Sequence, residues 1–394
     1  MRQIGLGTFA PSPRARELVN SVLDTGRISY GPLSHSFETK FAALHTDGNT
    51  PTHAILANSG TDALRIALHA LKEYLGWKDG DEVIVPAVTF VASVNVVLQL
   101  NLVPKLVDVD ATHYLLNPSL LFSALTPHTR CILPVHLFGQ PAPMTAISQF
   151  ADTHDLSLLE DSCECMFVTH ANKPVGTWGN MAAFSTYVAH LITTGVGGII
   201  TTQNKDLAQL ARSLANHGRD GIYLNVDDDG SVTEEIINRR FRFPYVGYSS
   251  RITELEAALG IAALDEWEEN LATRKSNAIL LKSLLSKWEH YLSLPYAAPN
   301  NTHSWMMFAL STRNEPKHAL VTWLEHNGVE TRDAMPLITQ PCYREMKWDL
   351  RRNPVAAWLD RAGFYVGCHP GLGEADMDYV ADLFDAYFEG KATT

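Results

Sequence analysis

Short apolar runs that alternate with stretches of helical periodicity constrain this chain more than any other feature. Glu82–Pro86 (EVIVP) reads as a buried strand, and so do residues 105–109 (KLVDV), 131–135 (CILPV) and 157–160 (SLLE). Residues 54–57 add a further short apolar run. Between and before them the spacing of apolar residues predicts helices over 13–25, 36–44, 62–75, 90–100 and 144–153. Strands separated by whole helices cross over and lie parallel, so the pattern implies an α/β chain with an open, mostly parallel sheet. Ligands bind such sheets beyond the carboxyl ends of the strands, and the residues just after each run are the first place to look for chemistry.

The pattern changes after about residue 264. Residues 265–288 read as one long, charge-studded helix, followed by a strand over 305–310 and a helix over 318–327. The chain therefore divides into a large domain, 1–264, and a smaller C-terminal α+β domain, 265–394. The first 30 or so residues are free to pack on the small domain. The run 227–233 (DDDGSVT) reads as a polar loop.

Composition removes several classes of function. With 46% hydrophobic and 19% charged residues the chain can bury a sizeable core, which excludes wholesale disorder. Thirty-one Lys and Arg against 43 Asp and Glu give a net charge of −12, which argues against nucleic acid or an anionic membrane as partner. No stretch approaches the ~18 apolar residues of a membrane span. The opening MRQIGLGTFAPSPRAREL lacks the apolar core of a secretory signal, so a cytoplasmic location is expected. Five cysteines, an odd count, suit a reducing compartment. Cys163 and Cys165 form a C-x-C pair, but no four-cysteine spacing suggests an iron–sulfur cluster, and no metal is expected.

Three segments carry chemistry. Asn58-Ser59-Gly60-Thr61 falls between a strand and a helix, where free N–H groups and the helix dipole attract a phosphate; an ordinary N-cap turn has the same make-up. Glu160-Asp161-Ser162-Cys163-Glu164 ends a buried strand, and an acid there needs a partner. A protonated pyridinium is one candidate and a helix N-cap is the other. Residues 183–198 (AFSTYVAHLITTGVGG) place Ser185 and His190 before a glycine-rich close. His190 suits proton transfer near neutral pH, or a structural role.

Taken together these motifs resemble the DegT/DnrJ/StrS family of sugar aminotransferases, fold-type I pyridoxal-phosphate proteins acting on nucleotide-linked keto sugars. The resemblance runs nearly end to end. It is carried by Gly31-Pro32, Asn58–Thr61, Val85-Pro86 with Phe90, Val135–Pro141 (VHLFGQP), Glu160-Asp161, Phe184-Ser185, Gly197-Gly198, His217-Gly218 and Gly247-Tyr248 with Arg251. It implies that Gly60, Thr61 and Ser185 hold the cofactor phosphate, that Phe90 stacks on the pyridine ring, and that Asp161 pairs with the ring nitrogen. It places Arg251, His217, Trp305 and Arg332 near the substrate, and it implies a homodimer.

Where the family's aminotransferases carry the Schiff-base lysine, this chain has His190. That replacement, a Glu164 in place of Gln or His, and the ending at 357–369 (AWLDRAGFYVGCH) resemble the family's 3-dehydratase branch. The branch implies pyridoxamine or pyridoxal phosphate held noncovalently. It further implies loss of the C3 hydroxyl from a nucleotide-linked 4-keto-6-deoxy sugar, His190 as the acid and base, and glutamate as amino donor. Two positions depart from the family: Val196 replaces a Glu, and Ser249 replaces the Asn that reaches the neighbouring subunit's cofactor phosphate. They leave two alternatives standing, a pyridoxamine-dependent elimination or tautomerisation on another substrate, and a degenerate homologue that binds a sugar nucleotide.

Overall fold

Runs of buried Val, Ile, Leu and Ala build a seven-stranded sheet. A computed structural model describes residues 2–220, Glu234, Arg239, 241–313 and 316–392, so the polar loop expected at 227–233 lies outside the described residues. In chain order the strands are β1 (His53–Ala57), β2 (Glu82–Pro86), β3 (Val103–Val107), β4 (Thr129–Ile132), β5 (Ser157–Asp161), β8 (Met181–Ser185) and β9 (Gly198–Thr202). A two-residue ribbon, β6 (Thr169–His170) with β7 (Lys173–Pro174), stands outside the sheet. The order across the sheet is β1-β9-β8-β5-β4-β2-β3. The four pairings from β8 to β3 are all parallel, whereas β9 runs antiparallel to both β1 and β8. β8 and β9 are buried along their whole length, as strands covered by helices on both faces must be.

The fold is thus the α/β class, with a second, smaller sheet. β10 (Leu292–Ser293), β11 (Phe308–Thr312), β12 (Arg332–Asp333) and β13 (Gly363–Val366) pair antiparallel in the order β10-β11-β13-β12. Phe308, Leu310, Phe364 and Val366 share a core with Ala278 and Leu281 of the helix Trp267–Leu285 and with Phe384 and Phe388 of the helix Glu374–Ala392. The N-terminal segment serves both parts. Ile4 sits in the small-sheet core and bridges to Val329, whereas the helix Pro13–Thr25 packs on the helix Glu254–Asp265 of the large core.

Several boundaries differ from the sequence reading, each for a local reason. The long helix expected over 265–288 runs as Trp267–Leu285 with a 3-10 turn at Ser286–Trp288, and a separate helix, Glu254–Asp265, comes just before it, with Glu266 leaving helical geometry at φ −116° and ψ 4°. The earlier helix starts on a capping box, Thr253 with Glu256, and feeds Ala257, Ala258 and Ile261 to the large core. The later one turns its apolar face to the small core. The strand at 105–109 is shifted to Val103–Val107, because Asp108 is used as a cap. Its two oxygens accept the N–H groups of Val355 (2.8 Å) and Ala356 (3.0 Å) at the start of the helix Pro354–Ala362. The strand at 305–310 begins only at Phe308, since Trp305 has φ +50°, which a strand cannot accommodate.

Candidate active site

The carboxyl ends of β1, β2, β5 and β8 open on one cavity of about 620 Å³ between the two sheets. Its wall brings together Gly60, Thr61, Phe90, Asp161, Glu164, Ser185, His190 and Arg332. Met306, Met307 and Tyr365 from the small-sheet side, and Leu6 and Gly7 from the N-terminal segment, complete it. Size and placement match a small-molecule site at the strand ends of an α/β sheet.

One end of the cavity is built by close packing on glycine. Gly60 opens the helix Gly60–Leu75, whose N-cap Ser59 accepts from Asp62 N. A Cβ on Gly60 would lie 2.6 Å from Ser185 Cβ and 3.0 Å from both Ser185 Oγ and Cys163 Sγ. A Cβ on Gly198 would lie 2.2 Å from Ser59 O. Only glycine lets the turn and the end of β8 approach this closely. The Gly60 and Thr61 amides and the Ser185 and Thr61 hydroxyls therefore share one end of the cavity at a helix N-terminus, a cradle for a phosphate.

Glu160 and Asp161 are neighbours on β5 and face opposite ways, as strand geometry requires. Glu160 is fully buried. It accepts from Gly176 N, Trp178 N and Gly179 N at 2.8 Å each, and from His136 Nε2 at 3.0 Å. His136 Nδ1 in turn accepts from Ala142 N, which assigns the proton to Nε2. Glu160 is a structural anchor. Asp161 lines the cavity with fewer partners: Ser93 Oγ donates at 2.7 Å and Cys163 N at 3.2 Å. Ser93 Oγ lies 2.9 Å from Thr89 Oγ1, which leaves Thr89 as donor to Ser93. Burial raises the Asp161 carboxyl above its ordinary range. Such an acid gains most from a cation placed beside it.

Phe90 lines the same cavity and is 58% exposed. Glu164 accepts from Phe138 N at 2.8 Å; burial, with the neighbouring Asp161 charge, pushes its carboxyl up to about 7. His190 sits in the loop after β8, 5.9 Å centre to centre from the Tyr187 ring. Its Nδ1 is buried and has no partner among the described residues. Burial first, and the charge of Arg274 second, pull its imidazole down to about 4. Near neutral pH it is an uncharged ring in the cavity wall, with one ring nitrogen left unpaired.

A buried acid, an open aromatic face, a glycine-lined anion cradle and an orphaned imidazole fit a phosphorylated pyridine cofactor. Other expected residues lie elsewhere. Ser249, His217 and Arg251 are exposed, with Ser249 bridged to Asn216 and His217 N donating to Tyr248 O, and none of them lines this cavity. Trp305 is buried and stacks on His303 at 4.0 Å. Arg332 lines the cavity but is tied to Glu330 at 2.5 Å. Sequence reasoning missed Ser93, Met306, Met307 and Tyr365. Ser93 is 68 residues from Asp161, and only β2 lying two strands from β5 brings them together. Among the described residues no cluster of His, Cys, Asp and Glu could hold a metal ion, and no helix is long and apolar enough to cross a membrane.

The fold and this cavity define a pyridoxal-phosphate type of enzyme scaffold. Residues 12–385 match the DegT/DnrJ/EryC1/StrS aminotransferase family, and the chain belongs to it. It is 34% identical to GDP-perosamine synthase of Caulobacter vibrioides over 94% of each chain. It is 31% identical to dTDP-4-dehydro-2,6-dideoxy-D-glucose 3-dehydratase of Saccharopolyspora spinosa, over 95% of this chain and 84% of that one. Among solved structures it superposes on E. coli GDP-4-keto-6-deoxy-D-mannose-3-dehydratase with bound hydrated PLP. That match has a TM-score of 0.85 at 26% identity, covering 97% of this chain and 99% of the other.

Proposed function

We propose that this member of the family removes the C3 hydroxyl of a nucleotide-linked 4-keto-6-deoxy sugar, with pyridoxamine or pyridoxal phosphate held noncovalently and glutamate as amino donor. The observation that carries this reading is the imidazole of His190 in a cavity that, among the described residues, no lysine lines. A lysine would tether the cofactor and release an amino sugar; an imidazole can do neither. Relatives of both kinds, a perosamine synthase and 3-dehydratases, are similar to this chain, and His190 is the feature that favours dehydration.

The residues would divide the work as follows. Gly60, Thr61 and Ser185 would hold the phosphate, and Phe90 would cover one ring face. Asp161, steadied by Ser93, would pair with the ring nitrogen and keep it protonated. When bound, the cofactor supplies an electron sink that lowers the cost of breaking bonds next to the sugar's C4. His190, uncharged above about pH 4, would take a proton on its imidazole and return it to the departing C3 oxygen. Glu164, neutral or half-ionised near pH 7, would present an acid group to the cofactor.

Ser249 and Arg251 lie off this cavity, and they support a homodimer in which each chain completes its partner's site. Phe90, Tyr187 and Val196, exposed at the cavity rim, suit burial by a second subunit. The test is to incubate the enzyme with nucleotide-linked 4-keto-6-deoxy sugars, pyridoxal phosphate and glutamate. A 3-deoxy product is expected. A stable 4-amino sugar would refute the reading, as would full dehydration by His190→Asn.

A further inference from the structure

Among the described residues Arg274 is a buried cation that pairs with no acid. It is 2% exposed, yet all of its hydrogen bonds end on main-chain carbonyls. These are Met306 O at 2.9 Å, Trp305 O at 3.4 Å and His190 O at 3.1 Å. Its Nε is sealed from solvent and has no partner among the described residues. Arg212 in the same chain shows the usual arrangement, with bonds of 3.0 and 2.9 Å to the Glu38 carboxylate. Stripping a guanidinium of water without a countercharge is costly, and the fold must gain something in return.

The three carbonyls show what is gained. One belongs to His190 and another to Met306, both of which line the main cavity. Behind His190 lies a second cavity of about 250 Å³ whose wall also holds Arg274 and His369. His190 thus stands between two cavities with Arg274 at its back. Asp161, Glu164, Glu330, Arg332 and Tyr187 share the wall of the main cavity with His190, and Glu266, His369 and Arg274 share the wall of the second. His369 has both nitrogens engaged, Nε2 donating to Gly5 O at 3.1 Å and Nδ1 accepting from Gly371 N at 3.2 Å. It is therefore spoken for as an uncharged ring. Arg274 is the charged group whose field reaches the His190 ring.

We propose that Arg274 is a positioning residue: it clamps the His190 loop through the His190 carbonyl and keeps the imidazole in its uncharged, proton-accepting form. The proposal rests on the reading of His190 as the base. A fixed positive charge in a dry wall makes a second positive charge beside it unfavourable, so the ring stays deprotonated when bulk histidines are charged. The same clamp ties the base's loop to the Trp305–Met307 wall of the small-sheet side, so that both sides of the site are held by one side chain.

The test reads His190 itself. The ring resonances of the full-length protein without cofactor are followed by NMR from pH 3.5 to 8, with His190→Asn to assign the signal. The wild-type midpoint is expected below 5. Arg274→Met, which removes the charge and keeps the bulk, is expected to raise it by about one pH unit, tenfold in proton affinity. Arg274→Lys, which keeps the charge and loses the fork, is expected to leave it near the wild-type value. A wild-type midpoint at 6.5 or above would overturn the proposal whether or not the methionine variant folds. So would equal midpoints in wild type and Arg274→Met, or a full-unit rise in Arg274→Lys. The titration involves no turnover, so failure to dehydrate a keto sugar refutes the functional reading and not this one.

Discussion

Replacing Glu164 by Gln should stabilise the protein at neutral pH, although it deletes a charge from the candidate site. In the folded chain the Glu164 carboxyl is shielded, lies close to Asp161, and has one protein donor, Phe138 N at 2.8 Å. Burial, followed by the Asp161 charge, moves its pKa from 4.5 to about 7, against the lowering effect of that one hydrogen bond. Below pH 4.5 the group is protonated in folded and unfolded chains alike and contributes no difference. Between 4.5 and 7 the unfolded chain releases the proton and the folded chain retains it. The unfolded state therefore binds fewer protons, and stability falls as pH rises through this window. A shift of about 2.5 units at 1.36 kcal/mol per unit gives a ceiling of about 3 kcal/mol above pH 7. Gln keeps an acceptor for Phe138 N and has no charge to desolvate. Urea unfolding without cofactor, followed by tryptophan fluorescence at pH 4.5, 6 and 7.5, checks the reasoning. The two proteins should match at pH 4.5, and the Gln variant should lead by up to about 3 kcal/mol at pH 7.5. A difference that is constant with pH, or a wild type more stable at pH 7.5, would refute it.

Glu160→Gln should do the opposite at every pH: Glu160 Oε1 and Oε2 each accept two donors, so an amide NH2 must face two N–H groups. A loss of about 3–5 kcal/mol in the same unfolding assay is expected, the cost of leaving buried polar partners unpaired. Gly60→Ala puts a methyl 2.6 Å from Ser185 Cβ and should weaken pyridoxal phosphate binding about tenfold or more, read by absorbance titration, with a smaller change in stability. Asp161→Asn should weaken the same titration by at least about thirtyfold, roughly 2 kcal/mol, because the amide cannot neutralise a pyridinium. The acid limb of the kcat profile should fall near pH 4, since His190 loses its basic form only below that value; a limb near 6.5 would mean that another group titrates.

Much of the site was legible in the sequence because its members come just after apolar runs. A strand end must be followed by a turn, and Gly60, Asp161 and Ser185 stand at those ends in a fixed order, so they converge once the strands are parallel. His190 was legible for another reason: it occupies a position where the family resemblance expects an amine. His217 and Arg251 match family motifs and Ser249 stands where the family has an Asn, yet all three lie on the exposed surface of this chain, where the motif alone gives no hint of which subunit's cavity they serve.

The amino-acid order by itself determined the class of sheet, the carboxyl-end location of the site and the residue types within it. These follow from periodicity and turn chemistry, which act over a few residues. Only the tertiary structure decided that Glu160, the neighbour of Asp161 on the strand, is an anchor turned away from the cavity, because neighbours on a strand look alike until each face meets its own surroundings. It decided the same for charge. The approach to pH 4 of His190 and to pH 7 of Glu164 depends on burial and on Arg274 and Asp161, groups brought near by packing and not by sequence distance alone. The chain's order names the ionisable groups; the dielectric and the neighbours that set their protonation exist only once it has folded.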